Sequence, residues 1–283
     1  MNELIFSKGT SKYSLDINKI KYCIGQNFKE KYKFKQIVIE CLKNYKTSEY
    51  SLENTGQAKM FLDNKELDNK NISFYQVNHN YSIQEDLKLL SKSLISKYLE
   101  MLISNNENID TVNTINILLE SFGNELDDEL IISRFMTYTP KLFLKILLPL
   151  FCIDEEQANE FDLDYDKIIL TQLKMINYIV QNNISSINLC FIDIPVLTRK
   201  IKEYLEQMKN CLLIVLIDNF EIVPQIQDIY VFDKYMIDLN DEEELYNYYI
   251  HKGVCTLEEV KNDMKTQLNN YKEKLDMSIF NKI

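Results

Sequence analysis

Three stretches of the chain are apolar at almost every position: INLCFID at 187–193, CLLIVLID at 211–218 and IYVFDKYMID within 229–238. A strand with one wet face alternates apolar and polar residues, because successive side chains point to opposite faces. A strand that is apolar throughout must be covered on both faces. That is the condition of a parallel sheet flanked by helices. The runs therefore predict an α/β fold. A helix predicted at about 197–209 separates the first two runs, as a parallel crossover requires.

The rest of the chain sorts by period. Residues 3–24 run in short apolar or alternating pieces, ELIF, KYSLDI and IKYCIG, which read as strands. Phe34, Ile37, Val38, Cys41, Leu42 and Tyr45 follow helical spacing, and ISFYQV at 72–77 reads as another strand. Residues 82–182 read as helix throughout. Ser82 and Glu85 form a capping box ahead of Leu87, Leu90, Leu94, Tyr98 and Leu102. A second helix, 114–122, is stopped by Gly123, and a third spans 126–138. Thr139 and Pro140 open a fourth, which Pro149 ends or kinks. A fifth covers 166–180, with Ile169, Leu173, Ile176 and Val180 in register. Two more helices follow: one from near Asn240, and one opened by Thr256 and Glu259 with a stripe of Leu257, Val260, Met264, Leu268, Tyr271 and Leu275. The simplest architecture is a discontinuous α/β head domain, 1–80 and 184–255, with an all-helical domain, 81–183, inserted into it and a C-terminal helical extension, 256–283.

Composition narrows the function. Hydrophobic residues make 46% of the 283, enough for a sizeable core, and five Gly with four Pro exclude a collagen-like or turn-dense all-β chain. The 43 acidic residues outnumber the 32 basic ones for a net charge of −11, and Arg134 and Arg199 are the only arginines. Such a chain cannot attract nucleic acid over its whole surface and must use a local basic patch. Cys23, Cys41, Cys152, Cys190, Cys211 and Cys255 form no CxxC pair, and most sit in apolar runs, the habit of buried reduced thiols. The opening MNELIFSKGT has no basic region followed by a long apolar core, so no signal peptide is expected. LFLKILLPLF at 142–151 is too short for a membrane span and carries a Lys. A cytoplasmic protein without membrane contact is expected. His79 and His251 stand alone, and neither GxSxG nor HExxH occurs, so no catalytic triad or zinc site is argued. The tyrosines of 246–251 suit a packed helix face.

Strand IKYCI runs into GQNFKEKY at 25–32 and then a helix, the setting of a phosphate-binding P-loop. Gly25 and Lys31 fall in register, but Glu30 stands where the second Gly belongs and Tyr32 where Ser or Thr would hold magnesium. A carboxylate there repels phosphate, so a P-loop-like fold without nucleotide is expected. Asp193 and Asp218 each end an apolar strand, the place of a Walker-B carboxylate and also of an ordinary turn-opening Asp. Lys29, Lys31, Lys33 and Lys35 suit either a nucleic-acid patch or a solvated helix start. At 100° per residue they divide into Lys29 with Lys33 and Lys31 with Lys35. Arg199, Lys200 and Lys202 follow the strand at 187–193, and ligands of α/β sheets gather at the carboxyl ends of strands. Asp162, Asp164 and Asp166 resemble the first half of a calcium loop, but Lys167 replaces its Gly and Leu173 its final Glu. The same acids suit the start of a helix. Glu107 and Asp110 form a weaker acidic group ahead of Gly123.

The order of elements carries a family resemblance. KMFLDNKELDNKNISFYQV (59–77), INILLESFG (115–123), DKIILTQLKMINYIVQNNISSINLCFIDIPVLT (166–198) and CLLIVLIDNFEIVPQIQDIYVFDKYMID (211–238) together resemble the spacer-acquisition accessory protein of type II-A CRISPR systems, the Csn-two family, in its longer subfamily. The resemblance implies a P-loop-like head without nucleotide chemistry and a helical leg. It implies a ring-shaped homotetramer that encloses double-stranded DNA at free ends without sequence preference, in antiviral defence. It also implies cooperation with the CRISPR integrase pair and the RNA-guided nuclease, and calcium holding the leg, with either Glu107 and Asp110 or the run 162–166 as its acids. On these terms the lysines and arginine named above are the DNA contacts and the protein is not an enzyme. The competing readings are a P-loop-derived NTPase or nucleotide kinase with a divergent loop, and a structural adaptor without DNA binding.

Overall fold

In a computed structural model of the chain, the described residues are 2–43, 56–90, 93–183, 187–233, 236–250 and 256–270. Tyr45, His251, Cys255, Tyr271 and Leu275 lie outside them, as does the end of the C-terminal extension. The chain divides into two compact units, 1–79 with 184–283, and 80–183.

The first unit opens with strands β1 (Asn2–Lys8), β2 (Ser11–Ile17) and β3 (Ile20–Ile24), helix α1 (Phe28–Lys43), and strands β4 (Lys59–Leu62), β5 (Lys65–Glu66) and β6 (Ile72–Asn78). The second unit holds α2 (Ile83–Asp86), α3 (Leu94–Ile103), α4 (Asn106–Glu125), α5 (Pro140–Phe143), β7 (Cys152–Ile153), β8 (Glu156–Gln157) and α6 (Tyr165–Asn182). The chain then returns to the first unit with β9 (Ile187–Leu197), α7 (Arg199–Gln207), β10 (Leu212–Phe220), β11 (Ile229–Phe232), β12 (Met236–Asp238), α8 (Glu242–Ile250) and α9 (Leu257–Asn270).

The three apolar runs become neighbours in a six-stranded sheet of order β12-β11-β3-β10-β9-β6. Five of its strands are parallel, and β12 closes one edge antiparallel to β11. Both faces are covered. Cys23, Leu189, Phe191, Ile214, Leu216, Tyr230 and Phe232 point to one core, while Ile24, Cys190, Ile192, Val215, Ile217 and Val231 point to the other side and are also buried. The first core is filled by Phe34, Ile37, Val38 and Cys41 of α1 and by Leu4, Phe6, Tyr13 and Leu15 of a second, antiparallel sheet, β2-β1-β4-β5. Burial raises the thiols of Cys23 and Cys41 to about 12, so both stay protonated. The apolar stripe of α9 is also covered within the chain: Val260, Met264 and Leu268 are buried and Lys261 pairs with Glu242 of α8. No helix of the described residues is long and apolar enough to cross a membrane.

The inserted unit departs from the all-helical expectation. Residues 126–138 form no helix. The Asp128 carboxylate accepts from the backbone N–H groups of Leu130 and Ile131, Asp127 accepts from that of Ser133, and the Asn116 amide brackets both the N–H and the carbonyl of Tyr138. Such bonds offer the backbone an alternative to helix. Gly123 does not stop its helix; α4 runs through it, and a Cβ there would sit 3.2 Å from the Ser133 carbonyl oxygen. The stripe from Leu87 to Leu102 is split, with Leu89 at φ 52. Asp86 accepts from the N–H groups of Leu94 and Ile95, and Ser93 caps the new helix, so α3 starts afresh. Thr139 and Pro140 do open a helix, but of four residues. A small hairpin, β7-β8, turns through Asp154 and Glu155, both at positive φ as a tight hairpin turn requires.

One ion pair inside the first unit ties three of its parts together. Lys21 of β3 is fully buried and donates to Asp238 at 2.8 Å and to the Gln227 carbonyl at 2.9 Å. The other oxygen of Asp238 accepts from the Asp16 N–H of β2. Lys21→Met strands a buried carboxylate and is expected to cost about 3–5 kcal/mol in urea unfolding, most of it recovered in Lys21→Met with Asp238→Leu. Burial raises the Asp238 carboxyl above its ordinary range and Lys21 opposes that rise. A carboxyl raised in the folded state stabilises most below the ordinary carboxylate range, and the contribution is lost as pH rises through the folded value. The Lys21→Met deficit should therefore shrink as pH falls from about 7 to about 5.

Candidate nucleic-acid interface

Parallel strands bring their carboxyl ends to one edge, and the segments that leave them carry the cations singled out above. Strand β3 leaves through Gly25 into α1; β9 leaves through Thr198 into α7. In the sheet β3 and β9 flank β10, so the starts of both helices stand beside the end of β10.

The turn out of β3 is closed by close packing. Gly25 sits at φ +123, and a Cβ there would lie 2.0 Å from the Phe232 carbonyl oxygen. Asn27 donates its N–H to that same carbonyl at 3.1 Å and its side-chain amide to the Asp233 carbonyl. Its side-chain oxygen accepts from the Glu30 N–H at 3.2 Å, one of the donors at the helix start. Glu30, where a P-loop has glycine, accepts from the Tyr13 hydroxyl at 2.8 Å. Burial, then that bond, raises the Tyr13 phenol far above its usual value.

Lys31 is 4% exposed. It donates to the Ile217 carbonyl at 2.8 Å and pairs with Asp218 at 2.5 Å. Lys35, one turn on, pairs with Asp193, which does not end its strand as the apolar run suggested but lies inside β9, four residues short of Leu197. Asp193 and Asp218 are thus each matched with a lysine of α1. Lys31 and Lys35 do not belong to an outward patch. Lys29 and Lys33, on the opposite side of the helix, are exposed, and Lys33 lies 3.8 Å from Glu30. On α7 the Thr198 hydroxyl caps the first turn, Arg199 and Lys200 are exposed, and Lys202 pairs with Glu206 at 2.5 Å. The cations that face water at this edge are therefore Lys29, Lys33, Arg199 and Lys200, with Lys202 drawn along its helix.

The acidic candidates do not assemble. Among the described residues no group of three or more His, Cys, Asp or Glu side chains is placed to hold a metal ion. Glu107 and Asp110 are exposed on the first turns of α4. Asp162 accepts from the Asn159 N–H at 2.9 Å, and Asp164 is the N-cap of α6, accepting from the Lys167 N–H at 2.8 Å. Asp166 lies in the first turn of the same helix, beside its positive end. In the described residues each of these acids is thus placed at a helix start or turn, and they do not gather into one cluster.

A second surface feature escaped the sequence reading. In the inserted unit Leu130, Ile132, Met136, Ile146 and Leu148 are exposed, the first at 93% and the last at 92%. A helical reading hides these residues in a core; the irregular path of 126–138 turns several of them outward.

The fold is mixed α/β with a largely parallel sheet. No protein-family model matches the chain, and no curated protein matches it in sequence. Among solved structures it is similar to the crystal structure of Stu0660 of Streptococcus thermophilus, with a TM-score of 0.64 at 15% identity over 93% of this chain and 85% of that one. At that identity the likeness is one of fold.

Asp164→Ala should cost about 1 kcal/mol, the usual loss of an N-cap. A capping role makes that loss the same in calcium and in chelator, measured by thermal unfolding; a loss seen in calcium alone would give the carboxylate a metal role instead.

Proposed function

We propose that this chain is a non-catalytic protein that binds double-stranded DNA at free ends without sequence preference. It does so as a ring-shaped homotetramer in CRISPR spacer acquisition, beside the integrase pair and RNA-guided nuclease of its system. The observation that carries the reading is the carboxyl edge of the parallel sheet. Its loop lysine, Lys31, is buried against Ile217 and Asp218, while Lys29, Arg199 and Lys200 stand exposed on the two neighbouring helices. An edge of this kind offers point charges to a backbone and no grip on a nucleotide's phosphates. The family resemblance of the sequence supports the same reading, with the head taken as P-loop-like and the insertion as the leg.

The net charge of −11 is compatible with this. At physiological salt a field reaches about 8 Å, so cations inside a ring act apart from acids outside it. The exposed apolar side chains of 117–150 support self-association. A soluble monomer rarely exposes a contiguous apolar patch beyond a few hundred Å². The stripe of α9 contributes nothing here, being covered within the chain.

Linear duplex is expected to bind and covalently closed circles of equal mass to compete poorly, since a circle has no end to thread. Affinity should fall steeply with salt, each neutralised phosphate adding about −0.9 to the log–log slope. Replacing Lys29, Arg199 and Lys200 by Gln together should flatten that slope by up to about 2.7 units for each protomer that contacts the duplex. Circles that compete as well as linear DNA would defeat threading, and an unchanged slope would place the DNA elsewhere.

Light scattering should give about four times the chain mass of 33.6 kDa. Leu130→Asp with Ile132→Asp should reduce that mass while the thermal transition of the chain persists. A wild-type monomer at tens of micromolar, about the range of weak association, would count against the ring.

A further inference from the structure

Helix α1 carries four alternate lysines at its start, and the structure divides them. One residue is 100° of helix, so Lys29 and Lys33 share one side and Lys31 and Lys35 the other. The inner pair reaches two acids in the carboxyl halves of neighbouring strands. Lys31 meets Asp218 of β10, and Lys35 meets Asp193 of β9. The register explains the match. Asp193 lies opposite Leu216, so Asp218 stands two residues further out along the edge. Lys31 lies nearer the start of α1 and meets the outer acid; Lys35, a turn deeper, meets the inner one. Asp218 keeps 56% of its side chain exposed and Asp193 27%, so both carboxylates look out on the edge where DNA is proposed to lie. Left without a counter-charge, two carboxylates within a Debye length would oppose a phosphate backbone.

We infer that Lys31 and Lys35 do not touch phosphate but cancel Asp218 and Asp193, and that these two acids thereby limit how tightly duplex DNA is held by Lys29 and Lys33. The inference rests on the DNA-binding reading and adds a division of labour to it. Lys29 and Lys33 are contacts. Lys31 and Lys35 are positioning residues, which hold the first turns of α1 against the sheet and keep the edge from repelling the duplex. The acids are a brake built into the edge.

The test is a salt series of linear-duplex binding with the full chain. Asp218→Asn keeps the shape of the side chain and its acceptor oxygen for Lys31, but leaves that lysine's charge uncancelled. Its duplex affinity at a fixed low salt should rise and its log–log slope steepen by less than the about 0.9 of a full phosphate contact, as should those of Asp193→Asn. Adding Lys31→Met to Asp218→Asn should return the slope to the wild-type value. Lys29→Gln with Lys33→Gln should flatten it by up to about 1.8 for each protomer that contacts the duplex. A lost contact to the fold alone would change thermal unfolding and leave these slopes in place. A second readout needs no variant. In the wild-type protein an amine-acylating reagent should modify Lys29 and Lys33, duplex should protect both, and Lys31 should stay unmodified throughout. Slopes unchanged in both Asp→Asn variants, or a Lys31 that is acylated in the free protein and protected by DNA, would overturn the inference while leaving the parent reading intact. A wild-type chain that retains no duplex at low salt would remove the parent reading and this one with it.

Discussion

Covering both faces of the parallel sheet leaves polar chemistry only its two ends. Each charged group near its core must find a partner there or pay the cost of a bare buried charge. At the amino end Lys21 is fully buried and meets Asp238 and the Gln227 carbonyl, which fastens β3, β12 and the turn ahead of β11 to one another. Asp238 in turn holds the Asp16 N–H, which joins the antiparallel sheet to the same point. At the carboxyl end the same constraint is met from α1, whose Lys31 and Lys35 take up Asp218 and Asp193.

The carboxyl end is where this fold class gathers ligands, and here its usual anion grip is filled from within. Gly25 lets the turn press against the Phe232 carbonyl, Asn27 ties the turn down, and Lys31, in the first turn of α1, is spent on β10. What remains outward are cations on two helix starts either side of one strand. That arrangement spreads charge along an edge, as the proposed DNA reading requires.

The inserted unit follows different physics. Its loop at 126–138 is held by carboxylates and an amide bonded to backbone, with Gly123 making room for it, and its own small cluster packs Ile83, Ile95, Ile168 and Met175. Local polar bonds hold the path of the chain while long apolar side chains point outward. The unit therefore folds with long apolar side chains left at its surface.

Much of this was legible in the residues alone. The apolar runs, the strand–helix order, the split of four lysines into two pairs and the cap at Thr139 all depend on neighbours within a few positions, and period or spacing records them directly. Where polar side chains competed for the backbone, as Asp86, Asp127, Asp128 and Asn116 do, the helical pattern of 82–182 misled, since apolar spacing is silent about such bonds. The roles of the charged residues were not legible at all. Lys21 and Asp238 are 217 positions apart, Lys31 and Asp218 are 187, and Lys35 and Asp193 are 158. The sequence by itself determined that an α/β sheet buried on both faces would form, because that is a matter of residue type at local positions. Only the tertiary structure decided which lysines are spent inside and which face water, because an ion pair exists where the strand order places its partners, and no spacing along the chain encodes that distance.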